Sequence, residues 1–141
     1  MKIAIGSDHA GFELKEKVKD YLKGNGNQVK DFGAYSLESV DYPDIAKALA
    51  KSVAAKKQKA GILICGTGIG MCMTANKVRG IRAANAHNVY TAQMSREHND
   101  ANVLCLGARV LEEKEVMEMI DVFLATKFAG GRHLRRVNKI K

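Results

Sequence analysis

The stretch that most constrains the fold runs from Gly61 to Met73, GILICGTGIGMCM. The apolar run Ile62-Leu63-Ile64-Cys65 stops at Gly66-Thr67-Gly68-Ile69-Gly70, and helix-compatible residues follow. Short apolar runs bounded by glycine read as buried strands, and glycine clusters read as tight turns. A strand that turns so tightly into a helix can present several backbone N–H groups, and the positive end of a helix dipole, to an anion. Cys65 stands at the lip of that cradle.

The rest of the chain repeats the pattern. KIAIG at residues 2–6 reads as a strand, and Leu14, Val18, Tyr21 and Leu22 give a helical stripe over 11–23. Strands are expected at 28–32, 60–65, 80–84 and 103–107. Helices are expected after Pro43, over 70–77, over 88–96 and over 113–128. Alternating strands and helices imply an α/β, single-domain, doubly wound three-layer sandwich: a five-stranded parallel sheet, Rossmann-like, followed by a C-terminal basic tail. In such folds ligands bind beyond the carboxyl ends of the strands. Those ends carry Gly6-Ser7-Asp8-His9, Cys65 to Gly70, and the segment from Asn85 to His87.

At 141 residues the chain is expected to be one domain, 1–141, with a core that needs neither disulfide nor metal. No signal-peptide pattern and no apolar run of roughly 20 residues is present, so a cytoplasmic protein away from membranes is expected. The three cysteines form no CxxC pair. Cys72 and Cys105, flanked by Met and Leu, are expected as small buried hydrophobes.

The formal charge of +8 is not spread evenly. Residues 130–141, GGRHLRRVNKIK, hold Arg132, Arg135, Arg136, Lys139 and Lys141 and no acid. That is +5 of the +8, which leaves +3 for the remainder. With 6% aromatic residues and no long basic helix, a nucleic-acid module is not expected. A compact arginine cluster suits a small phosphate or carboxylate.

The cradle is GxGxG, with Met71 where the dinucleotide fingerprint needs glycine, and it lacks the GK[ST] of a P-loop. No nucleotide cofactor is expected, and the ligand stays open between an anion and none, since a tight turn alone needs glycines. Cys65, placed where amides and dipole favour thiolate, is suited to act as nucleophile or general base. His9 follows Asp8 at a strand end on the ligand side, and His98 lies in the polar run Ser95 to Asp100. His87 is expected to be solvated or packed. No two histidines have metal-ligand spacing, so no metal is expected.

Taken together, the motifs resemble those of the B-type ribose-5-phosphate isomerases, the group that also contains the galactose-6-phosphate isomerase subunits. The resemblance rests on Gly6 to Phe12, Asp41-Tyr42-Pro43-Asp44, Cys65 to Gly70, Arg96 to Asn102, Gly107-Ala108-Arg109, and the tail arginines Arg132 and Arg136. It implies an isomerase of the pentose phosphate pathway that interconverts ribose 5-phosphate and ribulose 5-phosphate. Cys65 would move the proton between C1 and C2, and Gly66, Thr67, Gly68, Ile69 and Gly70 would hold the enediolate. His98 would open the furanose ring. Asp8, His9, Tyr42, Asn99, Arg109, Arg132 and Arg136 would bind substrate, the arginines mainly its phosphate. It also implies a homodimer, or a dimer of dimers, with the His98–Asn99 region and the tail reaching a partner's site. Six-carbon sugar phosphates such as allose or galactose 6-phosphate are the alternative substrates. A non-catalytic phospho-ligand binder is the rival from another class.

Overall fold

Strands and helices alternate along residues 1–140, the part of the chain described by the computed structural model. They are β1 (Lys2–Ser7), α1 (Phe12–Gly24), β2 (Gln28–Asp31), α2 (Tyr42–Ala54), β3 (Ala60–Cys65), α3 (Ile69–Ala75), β4 (Ala83–Asn85), α4 (Val89–Glu97), β5 (Val103–Gly107), α5 (Glu113–Ala125) and α6 (Arg132–Val137). The strands form one parallel sheet in the order β2-β1-β3-β5-β4. This is the doubly wound sheet expected from the alternation. From β1 the chain moves outward to β2, whereas β3 leads to the other half of the sheet. The loops that leave these two neighbours diverge, and a crevice opens at their carboxyl ends.

The period of two sorts the strand residues between two cores. Ile3, Ile5, Ile62, Ile64, Leu104 and Leu106 lie under α1, α4 and α5, packed by Val18, Leu22, Ala92, Met119 and Phe123. Ala4, Leu63, Cys65, Val103 and Cys105 lie under α2 and α3, packed by Leu49, Val53, Met71 and Ala75. All six residues of β3 are buried, so this central strand reads as a continuous apolar run rather than an alternating one. Each buried Leu or Ile contributes about 1.5–3 kcal/mol relative to exposure. That two-sided burial fixes the strand ends on which chemistry can be placed.

Four details differ from the sequence reading. β4 begins at Ala83, not Gly80, because Gly80 has φ +91° and Arg82 is tied by its N–H to the Asn102 side chain at 2.9 Å. α5 ends at Ala125, since Thr126 is already extended at ψ 130°. The expected tail is not featureless: α6 forms within it and buries Val137, while Lys141 lies outside the described residues. Cys105 is fully buried as expected, but Cys72 is only half-buried, with its Sγ 3.4 Å from the Ala83 carbonyl that accepts from it. The neighbouring Cys105 thiol lowers the Cys72 pKa to about 7, and the Cys72 thiol, then burial, raises that of Cys105.

Candidate active site

One group of expected site residues gathers at the carboxyl ends of β1, β3 and β5. Cys65 closes β3 with 6% of its surface exposed, and the Gly68 N–H donates to its Sγ at 3.1 Å. Gly68 has φ +85°, and a Cβ there would lie 2.6 Å from Asn85 Oδ1, so both backbone and space demand glycine. The Ile69 N–H is taken by the Thr67 hydroxyl at 3.2 Å. The amides of Gly66, Thr67 and Gly70 have no acceptor among the described residues. Tyr42 opens α2, and its ring covers Gly70 so closely that a Cβ at Gly70 would lie 2.6 Å from it.

The end of β1 supplies the opposite wall. Asp8 is buried; its N–H donates to the Ile64 carbonyl and its Oδ1 accepts from Gly11 N–H at 3.0 Å. His9 Nδ1 accepts from the Val40 N–H at 3.3 Å, which leaves Nε2 to carry the proton of the neutral ring. Arg109 joins this group from beyond β5: its N–H donates to the Gly66 carbonyl at 3.0 Å, and its guanidinium lies beside Gly66. Two buried polar atoms here, Ser7 Oγ and Asn85 Oδ1, have no hydrogen-bond partner among the described residues.

The remaining expected residues gather at the other end of the sheet. α4 runs back from the end of β4, so His98 caps it near the start of β5, where the Asn102 carbonyl accepts from Gly61 N–H. Asn99 is exposed beside it. The His98 ring stacks on His133 with centroids 4.2 Å apart and planes 8° apart. Ala129 N–H donates to the Glu97 carbonyl at 2.9 Å, which ties the root of the last segment to α4. Arg132 and Arg136 flank His133 on α6 and, like Arg109, take part in no ion pair among the described residues. Partial desolvation, then the charges of His98, Arg132 and Arg136, hold His133 below the ordinary imidazole range.

Within one chain the two groups do not meet. Cys65 pairs with Gly107 at one end of β5, and Gly61 pairs with Val103 at the other. The five residues of β5 span about 13 Å, with His98 beyond one end and Cys65 at the other. His87, as expected, is exposed and belongs to neither group. His133 had no sequence signal beyond its place among tail arginines. Among the described residues no three His, Cys, Asp or Glu side chains are grouped as a metal site would need.

Comparison with known proteins bears on this arrangement. At 52% identity the chain superimposes on the ribose-5-phosphate isomerase B of Clostridium thermocellum with a TM-score of 0.98, over 99% of this chain and 95% of that one. The ribose-5-phosphate isomerase B of Mycoplasma genitalium, solved with bound ribulose-5-phosphate, is 44% identical with a TM-score of 0.95, over 99% and 93%. The D-erythrulose-4-phosphate isomerase of Pectobacterium atrosepticum is 45% identical over 99% of this chain and 93% of its own length. Residues 3–140 match the family described as Ribose/Galactose Isomerase, and the chain belongs to that family.

Proposed function

We propose that this chain is a metal-independent aldose–ketose isomerase that interconverts ribose 5-phosphate and ribulose 5-phosphate in the cytoplasm. The observation that carries the reading is the Cys65 sulphur, held by the Gly68 N–H beside a turn whose Gly66, Thr67 and Gly70 amides have no acceptor among the described residues. As a thiolate, Cys65 removes the C2 proton of the open-chain aldose. The electron pair forms the C1–C2 double bond and moves charge onto O1, where those amides receive it. Return of the proton to C1, with transfer of the O2 proton to O1, gives the ketose. Each preset donor to such an oxyanion is worth about 3–4 kcal/mol.

The sugar's other requirements fall to the distant group. In this reading His98 of a second copy protonates the ring oxygen to open the furanose, Asn99 orients the sugar, and Arg132 and Arg136 hold the phosphate. Asp8, His9, Tyr42 and Arg109 complete the wall around Cys65. The separation of the two groups by the length of β5 supports a homodimer with shared sites, since one pentose phosphate cannot reach both within a single chain. Phosphate anchored away from C1 and C2 lends binding energy to holding the reactive pose.

A shorter substrate is the second reading, favoured by the 45% identity to a tetrose-phosphate isomerase. Turnover of ribose 5-phosphate, allose 6-phosphate and D-erythrulose 4-phosphate, each with EDTA present, separates these cases. The pentose is expected to give the highest kcat/KM, undiminished by the chelator. Cys65→Ala should abolish turnover and still bind a phosphate ligand; near-normal turnover by that variant would show that another group is the base.

A further inference from the structure

We propose that Arg82 and Arg96 are positioning residues that lock Asp100 and so set His98 and Asn99 for the partner's site. This rests on the shared-site reading above. Asp100 follows directly on that pair with φ +48°, a left-handed conformation that Asp and Asn adopt more readily than other L-residues and that local contacts here hold in place. Arg82 Nη2 lies 2.9 Å from Asp100 Oδ2, and Arg96 Nη1 lies 3.0 Å from Asp100 Oδ1, so each carboxylate oxygen has its own guanidinium. Arg82 Nε also donates to the Asn99 carbonyl at 3.1 Å and the Asp100 carbonyl at 3.0 Å. Arg96 Nη1 donates to the Ala101 carbonyl as well.

Both arginines are themselves anchored. Arg82 is held through its backbone N–H by Asn102 Oδ1 at 2.9 Å, and Asn102 Nδ2 donates to the Gly80 carbonyl at 2.9 Å. Arg96 sits 5.8 Å over the Phe123 ring, and its Nε donates to the Thr126 carbonyl at 3.4 Å. Arg96 therefore links the loop that carries His98 to the segment that carries His133, whose ring stacks on His98. A guanidinium fork is required, because one side chain must serve a carboxylate and two carbonyls in fixed directions. Among the described residues, Asp100 is the one carboxylate lining a cavity of about 540 Å3 that Lys2, Lys56, Lys57 and Lys59 also line. Those lysines keep the surroundings positive when one arginine is removed, so a substitution tests geometry more than an uncompensated charge.

The test assigns Arg82 to one half of the shared site. Arg82→Ala is expected to lose about 10²-fold in kcat, the scale of a small misplacement of a catalytic group. Subunits of Arg82→Ala and Cys65→Ala are exchanged by partial unfolding and refolding. Each hybrid then has one site with Cys65 from one chain and an intact His98 loop from the other. A one-to-one mixture should recover about one quarter of wild-type turnover. Arg82→Ala mixed with His98→Ala, both defective in the same half, should recover none. Asp100→Asn, which keeps a residue tolerant of the left-handed region but removes the charge, should show the same pairing behaviour and serves if Arg82→Ala does not fold. Three results overturn the proposal: near-normal kcat in both variants, recovery on mixing with His98→Ala, or no recovery with Cys65→Ala while the Cys65→Ala plus His98→Ala control recovers. If that control itself recovers nothing, the shared-site reading is what has failed, and the positioning role falls with it.

Discussion

The two ends of the sheet are built differently. At the carboxyl ends of the strands, the Cys65 group is mostly backbone: amides of a turn, a buried cysteine, and Gly68 and Gly70, which leave no room for a side chain. At the other end, the His98 group is side chains on a helix terminus and a short last helix, half-buried or exposed, and Arg132 and Arg136 of that helix take part in no ion pair among the described residues. The first has the character of a preorganised oxyanion site, which gains from rigidity. The second has the character of a surface waiting to be covered. A dimer that lays the second surface of one copy over the first group of another would give each what it lacks.

The sharpest way to break this contrast is to alter the proposed base without altering the cradle. Cys65→Ser keeps an acceptor for the Gly68 N–H but replaces a thiol by a hydroxyl that does not ionise near neutrality. A loss of about 10²–10⁴-fold in kcat with little change in KM is expected; steady-state kinetics on ribose 5-phosphate decide it, and a change confined to KM would move Cys65 from base to binding group. Arg136→Ala, at the other end, should act on KM instead. Losing a charge-assisted contact to phosphate costs about 1.5–3 kcal/mol, or roughly 10–100-fold in KM. Mixing it with Cys65→Ala should restore activity, and its failure to do so after verified subunit exchange would detach the last helix from the site.

Next in size is a steric test of the cradle. Gly70→Ala places a Cβ 2.6 Å from the Tyr42 ring, and overpacking of this kind costs about 1–3 kcal/mol. Thermal unfolding should show the loss, with reduced turnover. Adding Tyr42→Ala should recover part of the stability. If the double variant is less stable than Gly70→Ala alone, the ring is not what limits the space at Gly70.

This contrast also sets how much could be read from the chain. The Cys65 end was legible because it is written in contiguous residues: an apolar run, then glycines, in an order that permits one local structure. The sheet and its two faces followed from alternation for the same reason, down to the crevice beside Asp8 and His9. The other end was legible only in part: the tail arginines stand out as an anion-binding cluster, but helix caps and sheet-starting loops carry no comparable signature. The roles of His98 and Asn99 entered through family resemblance, and His133, Arg82 and Asp100 gave no sign of their contacts. The buried Lys15 is a similar case: it lies on α1 among the apolar positions, and only the fold brings Asp31 Oδ2 to within 2.7 Å of its Nζ. Pairings between residues distant in sequence are made by topology, and topology was inferred only as a class.

The smallest expected effect concerns the His98–His133 stack, and it tests whether the second end is electrostatically distinct from the first. Desolvation and the charges of His98, Arg132 and Arg136 lower the His133 pKa, against a smaller opposing pull from Glu97. With the segment undocked, His133 titrates near the ordinary value of about 6.5. As pH falls below that value, the undocked form binds more protons than the docked one, so docking is favoured less. The contribution is thus full above about 6.5 and is lost as the pH drops through the window beneath it. Because the ring is only half-buried, the effect on overall stability should be slight. It should be visible locally, in an NMR titration in which the His133 ring protonates at lower pH than a free imidazole. His133→Asn, which cannot charge, should make the KM for ribose 5-phosphate less sensitive to acid than in the wild type. An unshifted or raised His133 titration would mean that the arginines around it are already neutralised by some other group, and the surface proposed to await a phosphate would have its anion already.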